Sequence, residues 1–300
     1  MFPASFKYHK PGSLIEAVEL LATLGDEAKL LAGGHSLIPA LKLRLAQPQH
    51  LIDLSGVGDL NQVRVTGNTL IIGATTTHWQ VESSPVVRNV LPYLSKVAAL
   101  IADPQVRNRG TIGGSVVNAD PAADYPASIL ALNAEMVCIS RSGQRVVEAA
   151  DWFQGLMTTA IEESEILSEI RIPLLSSNSV ATYLKLPHPA SRFAVVGIAA
   201  IATLTADGQC ADARIGVTGV GSTASRANHV ERQLLHQRFD VKRIDHASDA
   251  ACEGLDIDGD MHFSADDKRQ LCRVYVRRAL HQLRALAESG SFQPAIGDVV

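Results

Sequence analysis

The amino-acid sequence predicts an α+β fold. Three observations carry that expectation. Strand-like and helix-like segments follow one another without the regular βαβα alternation of a doubly wound sheet. A hairpin signature stands early, where Val63-Arg64-Val65 and Leu70-Ile71-Ile72 alternate around the turn pair Gly67-Asn68. The texture then changes after the polar stretch from Leu174 to Ser179, the best linker candidate in the chain.

The elements follow in order. Ser13-Leu14-Ile15-Glu16 has the form of a capping box, and Ala17, Val18, Leu21 and Leu24 continue at helical spacing to a stop at Gly25. Residues 29–32 read as a short buried strand that runs into Gly33-Gly34. Residues 39–45 read as helical, and 51–54 as another strand. After the hairpin, residues 86–102 have a helical pattern. The stretch DPQVRNRGTIGGSVVNADPAADYPA reads as loop-rich. A short helix at 126–132, strands at 136–140 and 145–147, and a strand at 166–172 ended by Pro173 complete this part. Beyond the linker, strands at 181–186, 194–204 and 213–220 precede helices. Cys272, Val276, Ala279, Leu283 and Leu286 form one apolar stripe of a last helix, with arginines on its other faces. The tail from Gly290 onward is expected to be loose.

With 46% hydrophobic and 19% charged residues in 300, the chain is rich enough for a sizeable core and unlike a disordered one. A net charge of -4 without a basic block argues against nucleic acid as a partner. The N-terminus has no apolar signal-peptide core. The longest apolar run, 193–204, is broken by Gly197 and Thr203 and is too short to span a bilayer. A soluble cytoplasmic protein, at most peripherally attached to a membrane, is expected. Cys138, Cys210, Cys252 and Cys272 are far apart, with no CxxC pair, and read as reduced thiols rather than zinc or iron–sulfur ligands.

Two glycine pairs carry the chemistry. Gly33-Gly34 follows an apolar run and precedes His35 and Ser36; Gly113-Gly114 stands between Thr111-Ile112 and Ser115. Glycine accepts positive φ and lets another group approach the backbone. Successive exposed N–H groups can form an anion-binding nest, with the hydroxyls of Ser36, Thr111 and Ser115 as further donors. A diphosphate held this way would gain about 1.5–3 kcal/mol per charge-assisted hydrogen bond before other costs. Two structural turns are the plainer alternative. A second fingerprint, G-x-G-x-x-A from Gly219 to Ala224, resembles a dinucleotide site, but it lies late and lacks a convincing parallel strand after it. His35 and His188 are tempting bases without assignable companions; His35 reads as a polar residue that hydrogen-bonds within the glycine turn.

The motifs LAGGHSLIPALKLR, TIGGSVVNADPAADYPA, EILSEIRIP and HPASRFAVVGIAA together resemble the FAD-binding medium subunit of molybdenum hydroxylases, most of all the aerobic carbon monoxide dehydrogenase type. The flavoprotein part of xanthine dehydrogenase is a more distant likeness. The resemblance runs in order over nearly the whole chain. It implies a PCMH-type FAD-binding domain over 1–176, with subdomains of about 1–54 and 55–176. A smaller α/β C-terminal domain, a sheet flanked by helices, would cover 177–288, and a tail 289–300. It makes Leu31, Ala32, Gly33, Gly34, His35, Ser36, Leu37 and Ile38 the first FAD loop. Thr111, Ile112, Gly113, Gly114 and Ser115 are the second, both holding the diphosphate through backbone amides.

Asp124, Leu167 and Lys185 match further flavin-contacting positions. Without the resemblance Asp124 reads as a helix N-cap, Leu167 as core and Lys185 as a surface charge. Ile101 falls near the isoalloxazine of relatives, though core packing accounts for it equally. Phe193 stands where close relatives often carry tyrosine; it keeps the flat face and loses the hydroxyl. The resemblance also implies a division of labour with no catalytic residue and no metal ligand on this chain. Substrate would be oxidised at a molybdenum–pterin cofactor on a large subunit. Electrons would pass through [2Fe-2S] clusters of a small subunit to FAD here, then to an external acceptor, in a dimer of heterotrimers. A stand-alone flavin oxidase or reductase, and a scaffold subunit that has lost FAD, are the alternatives.

Overall fold

A computed structural model describes residues 2–293, so most of the expected tail, 294–300, lies outside the described residues. The chain begins with β1 (Lys7–His9), α1 (Leu14–Leu24), β2 (Ala28–Leu31), α2 (Leu37–Lys42) and β3 (His50–Asp53). The three strands form a parallel sheet in the order β1-β3-β2. The Ser13 hydroxyl accepts the Glu16 N–H, but the Glu16 carboxylate reaches back to Gly12 N–H at 2.8 Å, one residue earlier than a standard box. α1 lays Ala17, Val18 and Leu21 onto a small core with Ile52 and Leu54. β2 leads straight into the first glycine turn.

Next come β4 (Val63–Thr66), β5 (Thr69–Gly73), α3 (His78–Ser83), α4 (Pro85–Val90), α5 (Pro92–Ala99), α6 (Pro104–Arg107), α7 (Ile112–Asn118) and α8 (Asp124–Ala131). They are followed by β6 (Glu135–Ser140), β7 (Gly143–Glu148), α9 (Ala149–Trp152), β8 (Phe153–Gly155), β9 (Thr158–Thr159) and β10 (Ile166–Pro173). An antiparallel sheet of order β4-β5-β10-β6-β7 results. The single helix expected over 86–102 is split. Leu91 swings to φ -148° because the residue before a proline disfavours helical geometry, and Pro92 then opens α5. The stretch expected to be loop holds α6, α7 and the start of α8.

The remainder contains β11 (Ser179–Pro187), β12 (Ala194–Leu204), β13 (Cys210–Thr218) and β14 (Ser225–Arg226), then α10 (Asn228–Leu234), α11 (Val241–Asp249) and α12 (Ala265–Glu288). The strands are antiparallel in sequence order. α12 covers one face of β12 and α8 the other. With both faces buried, β12 is apolar at nearly every position, apart from Gly197 and Thr203, rather than alternating. α8 is buried along its whole length. A Cβ at Gly216 would sit 2.0 Å from Ala127 O, so the glycine lets α8 lie directly on β13.

The predicted stripe of α12 is in place: Cys272, Val276, Ala279 and Leu283 are buried, and Leu286 packs partly against the same core. The tail is tied down further than expected. Ser291 N–H donates to Leu286 O and Gln293 N–H to Ser179 O, which fixes residues 291–293. The late G-x-G-x-x-A pattern is no nucleotide site. β13 turns back into antiparallel β14, and a Cβ at Gly219 or Gly221 would strike the carbonyls of Ala194 at 2.5 Å or Asp256 at 1.9 Å. Among the described residues no helix is long and apolar enough to cross a membrane.

Candidate cofactor site

The two glycine turns meet. A Cβ on Gly33 would lie 2.3 Å from Arg109 O and 2.7 Å from the Gly110 Cα. One on Gly113 would lie 2.5 Å from both Cβ and O of Ala74. These two glycines are bare so that backbone can lie on backbone. Gly34 supplies the turn itself at φ +78°. Thr111 caps α7 by accepting the Gly114 N–H at 3.1 Å. The buried Trp152 indole donates to Val116 O at 3.0 Å and pins α7 from below.

The turns are unequal as anion sites. In the second, Ile112 N–H donates to Thr76 O, Gly113 N–H to Ala74 O, Gly114 N–H to the Thr111 hydroxyl and Ser115 N–H to Thr111 O. Among the described residues, only Thr111 N–H of this turn lacks an acceptor. In the first turn the N–H groups of Gly33, Gly34, His35 and Ser36 have no acceptor among the described residues. Unpaired backbone donors are costly unless water or a ligand meets them. Among the described residues the His35 ring makes no hydrogen bond, so the one expected within the glycine turn does not form.

Both turns face a cavity of about 570 Å³, within the range of small-molecule sites. Leu30, Leu54, Ile166, Leu167 and Met157 line it where the small N-terminal core meets the central sheet. His78, Ile101, Ala102, Asp124, Arg192 and Phe193 line a second end, where the Arg192–Ala102 contact and the bonds of Lys185 to Leu100, Asp124 and Arg192 draw the segments together.

A buried ion pair supports the second end. Lys185 Nζ, on β11, donates to Asp124 Oδ2 at 2.9 Å, Leu100 O at 2.8 Å and Arg192 O at 3.0 Å. The lysine is neither a surface charge nor a cavity-lining group; its side chain is 6% exposed. Asp124 is the first residue of α8 rather than its cap, and it also accepts the Tyr183 hydroxyl at 2.6 Å. Burial pushes the Asp124 carboxyl above its ordinary pKa, and Lys185 and Tyr183 pull it only partly back.

His78 lies 5% exposed beside Gly110, with its Nδ1 unpaired among the described residues. Burial, then the neighbouring His35 and Arg107, hold its imidazole down from 6.5 to about 4. Between those values the unfolded chain binds a proton that the folded chain refuses. Stability is therefore lost as pH falls from 6.5 through 4, by about 3 kcal/mol. Denaturant unfolding of His78→Gln across this window should show a flatter pH dependence than the native chain.

The cavity collects Ala32, Gly33, Gly34, His35, Ser36, Leu37, Ile101, Thr111, Gly113, Gly114, Ser115, Asp124, Leu167 and Phe193 of the expected site residues. Leu31, Ile38, Ile112 and Lys185 stand outside its lining. Ile112 is fully buried in the central core, and Ile38 packs on Gly34. His78, Arg192 and Met157 line the cavity without having been expected there. Arg192 was signalled only by its place next to Phe193; nothing in the sequence marked the other two.

Residues 4–175 match the family described as FAD binding domain in molybdopterin dehydrogenase, and residues 181–283 match the CO dehydrogenase flavoprotein C-terminal domain. The chain is 41% identical to the carbon monoxide dehydrogenase medium chain of Hydrogenophaga pseudoflava, over 94% of this chain and 98% of that one. It is 39% identical to the 6-hydroxypseudooxynicotine dehydrogenase complex subunit alpha of Paenarthrobacter nicotinovorans, over 96% and 99%. Among solved structures, carbon monoxide dehydrogenase from Hydrogenophaga pseudoflava superposes with a TM-score of 0.92 at 42% identity, covering 95% of this chain and 99% of that one. Quinoline 2-oxidoreductase from Pseudomonas putida 86 does so with 0.89 at 32%, covering 97% and 100%. The chain belongs to the FAD-binding medium subunits of the molybdenum hydroxylases and is an oxidoreductase subunit.

Proposed function

We propose that the cavity holds FAD, with its diphosphate on the first glycine turn. The row of N–H groups from Gly33 to Ser36 without protein acceptors carries this reading. Such a row suits a dianion, and the cavity on either side suits two flat rings. The amide set is narrower than the sequence implied, since the second turn offers only Thr111 N–H and hydroxyls such as that of Ser115. The adenine belongs at the Leu54–Leu167 end, and the isoalloxazine at the end with Ile101 and Phe193. Lys185 then acts as a positioning residue that holds three walls of the flavin end together.

FAD bound there accepts electrons singly and releases them in pairs, so it suits a junction between one-electron and two-electron carriers. The chain's residues bind and orient it. We assign the electron source to [2Fe-2S] clusters on a small subunit, and substrate oxidation to a molybdenum–pterin cofactor on a large one, within a cytoplasmic dimer of heterotrimers. The FAD-binding unit would span 1–176, as subdomains of about 1–54 and 55–176, and the C-terminal unit 177–288. A retained but empty scaffold is disfavoured, because it would leave the N–H row with water alone.

Purification under native conditions should give a yellow protein that releases about one FAD per chain and carries iron and molybdenum on co-purifying subunits. A colourless chain that takes up no added FAD contradicts the cofactor assignment. A yellow chain that turns over a substrate alone contradicts the assignment of partners.

A further inference from the structure

Three successive backbone carbonyls on the flavin end are each held by a different cation. Leu100 O accepts from Lys185 at 2.8 Å, Ile101 O from Arg107 at 3.0 Å and Ala102 O from Arg192 at 3.3 Å. Two of these cations are neutralised: Lys185 by Asp124 at 2.9 Å, and Arg107 by Glu82 at 2.8 Å. Arg192 forms no ion pair among the described residues. Two carboxylates on nearby segments are engaged elsewhere. Asp103 accepts the Val106 N–H to cap α6, and Asp120 accepts the Ala122 N–H.

The backbone of Arg192 is also constrained. Its φ is +61°, a left-handed geometry that is costly for a residue with a side chain. Its N–H donates to His188 O at 2.9 Å, and its carbonyl accepts from Lys185. The His188 Nδ1 closes the loop by accepting from Ala190 and Ser191 N–H. A strained residue fastened on both sides thus presents an unpaired guanidinium beside Phe193 and Ile101, on the wall of the cavity.

We propose that Arg192 raises the reduction potential of the bound flavin by stabilising the negative charge that the isoalloxazine gains on reduction. This rests on the assignment of that end of the cavity to the isoalloxazine. The oxidised ring is neutral. Reduction adds two electrons and one proton near neutral pH, which leaves one net negative charge. A fixed cation favours the reduced form over the oxidised form and so raises the potential. Lys185 and Arg107 add little, because each field is cancelled by its own carboxylate.

The test is a redox titration of the flavin-loaded protein with Arg192→Lys, Arg192→Gln and Arg192→Glu. Lysine should keep the native potential. Glutamine should shift the oxidised–reduced equilibrium about tenfold toward oxidised, which is about 30 mV for a two-electron couple; glutamate should shift it about a hundredfold, about 60 mV. The ratio of affinities for reduced and oxidised FAD, measured on flavin-free chain, should fall by the same factors. That ratio serves any variant that retains flavin poorly. Equal potentials in native, Gln and Glu forms overturn the proposal. So does a Lys form that drops as far as Gln, which would assign the effect to the Ala102 contact. Native chain that binds no FAD would instead defeat the cofactor assignment.

Discussion

Gly33→Ala is expected to strip the chain of most of its flavin. The added methyl would stand 2.3 Å from Arg109 O and 2.7 Å from Gly110 Cα. Both obstacles are backbone, so no side chain can swing aside, and the two turns must part. Overpacking of this kind costs about 1–3 kcal/mol. Spent on the site, that weakens FAD binding by roughly 5- to 150-fold. Gly113→Ala should behave alike, with Ala74 at 2.5 Å. Gly114→Ala should be milder, because its methyl meets only the Thr111 hydroxyl at 2.7 Å and then Ala32 Cβ at 3.9 Å. It disturbs one helix cap, worth about 1 kcal/mol. FAD per purified chain, and its Kd by titration, check the order. Native affinity in Gly33→Ala would mean that the site does not depend on contact between the turns.

Lys185→Met is expected to destabilise the chain by about 3–5 kcal/mol, the usual result of removing one partner from a buried ion pair. Both side chains are almost fully buried, 6% and 5% exposed, so water cannot replace the lost partner. The loss should also depend on pH with a definite sign. The folded Asp124 carboxyl already sits above its ordinary 3.8, and without Lys185 it rises further. From about 4 up to that raised value, the folded chain keeps a proton that the unfolded chain has released. Stability therefore falls as pH rises through the window, by up to about 1.4 kcal/mol per pH unit. Measured against the native chain, which shares the His78 contribution, unfolding of Lys185→Met should show a smaller loss at about pH 5 than at about pH 8. Adding Asp124→Asn should abolish the difference. A pH-independent loss would mean that the Asp124 carboxyl does not carry the effect.

Much of the frame was legible because local chemistry and tertiary context agree there. The Gly67-Asn68 hairpin, the Ser13 cap and the stripe from Cys272 to Leu286 are short-range signals, and the fold leaves them standing. The failures share a cause, which is information carried by distant segments. α7 was missed because a helix opening Ile-Gly-Gly has poor intrinsic propensity. It forms because Gly113 can lie on Ala74 and because Trp152 holds Val116. Residues 86–102 looked like one helix because their apolar spacing outweighed a single proline. Lys185 read as a surface charge because Asp124, Leu100 and Arg192, which surround it, are remote in sequence.

The site divides the same way. Two glycine pairs flagged both turns, yet only the fold tells which N–H groups remain free. Spacing made the turns look equivalent. The bridge between Thr77 and Thr111, and the approach of Ala74, consume the donors of the second. His78 was invisible as a site residue, since a histidine on a helix carries no motif, whereas Arg192 stood inside HPASRFAVVGIAA without a role of its own.

A structure of the flavin-loaded protein, resolved well enough to place the diphosphate oxygens, tests the central claim most directly. Those oxygens should accept hydrogen bonds from the N–H groups of Gly33, Gly34, His35 and Ser36, with the isoalloxazine beside Ile101 and Phe193. A diphosphate bound elsewhere, with that row of donors still lacking acceptors, would contradict the account.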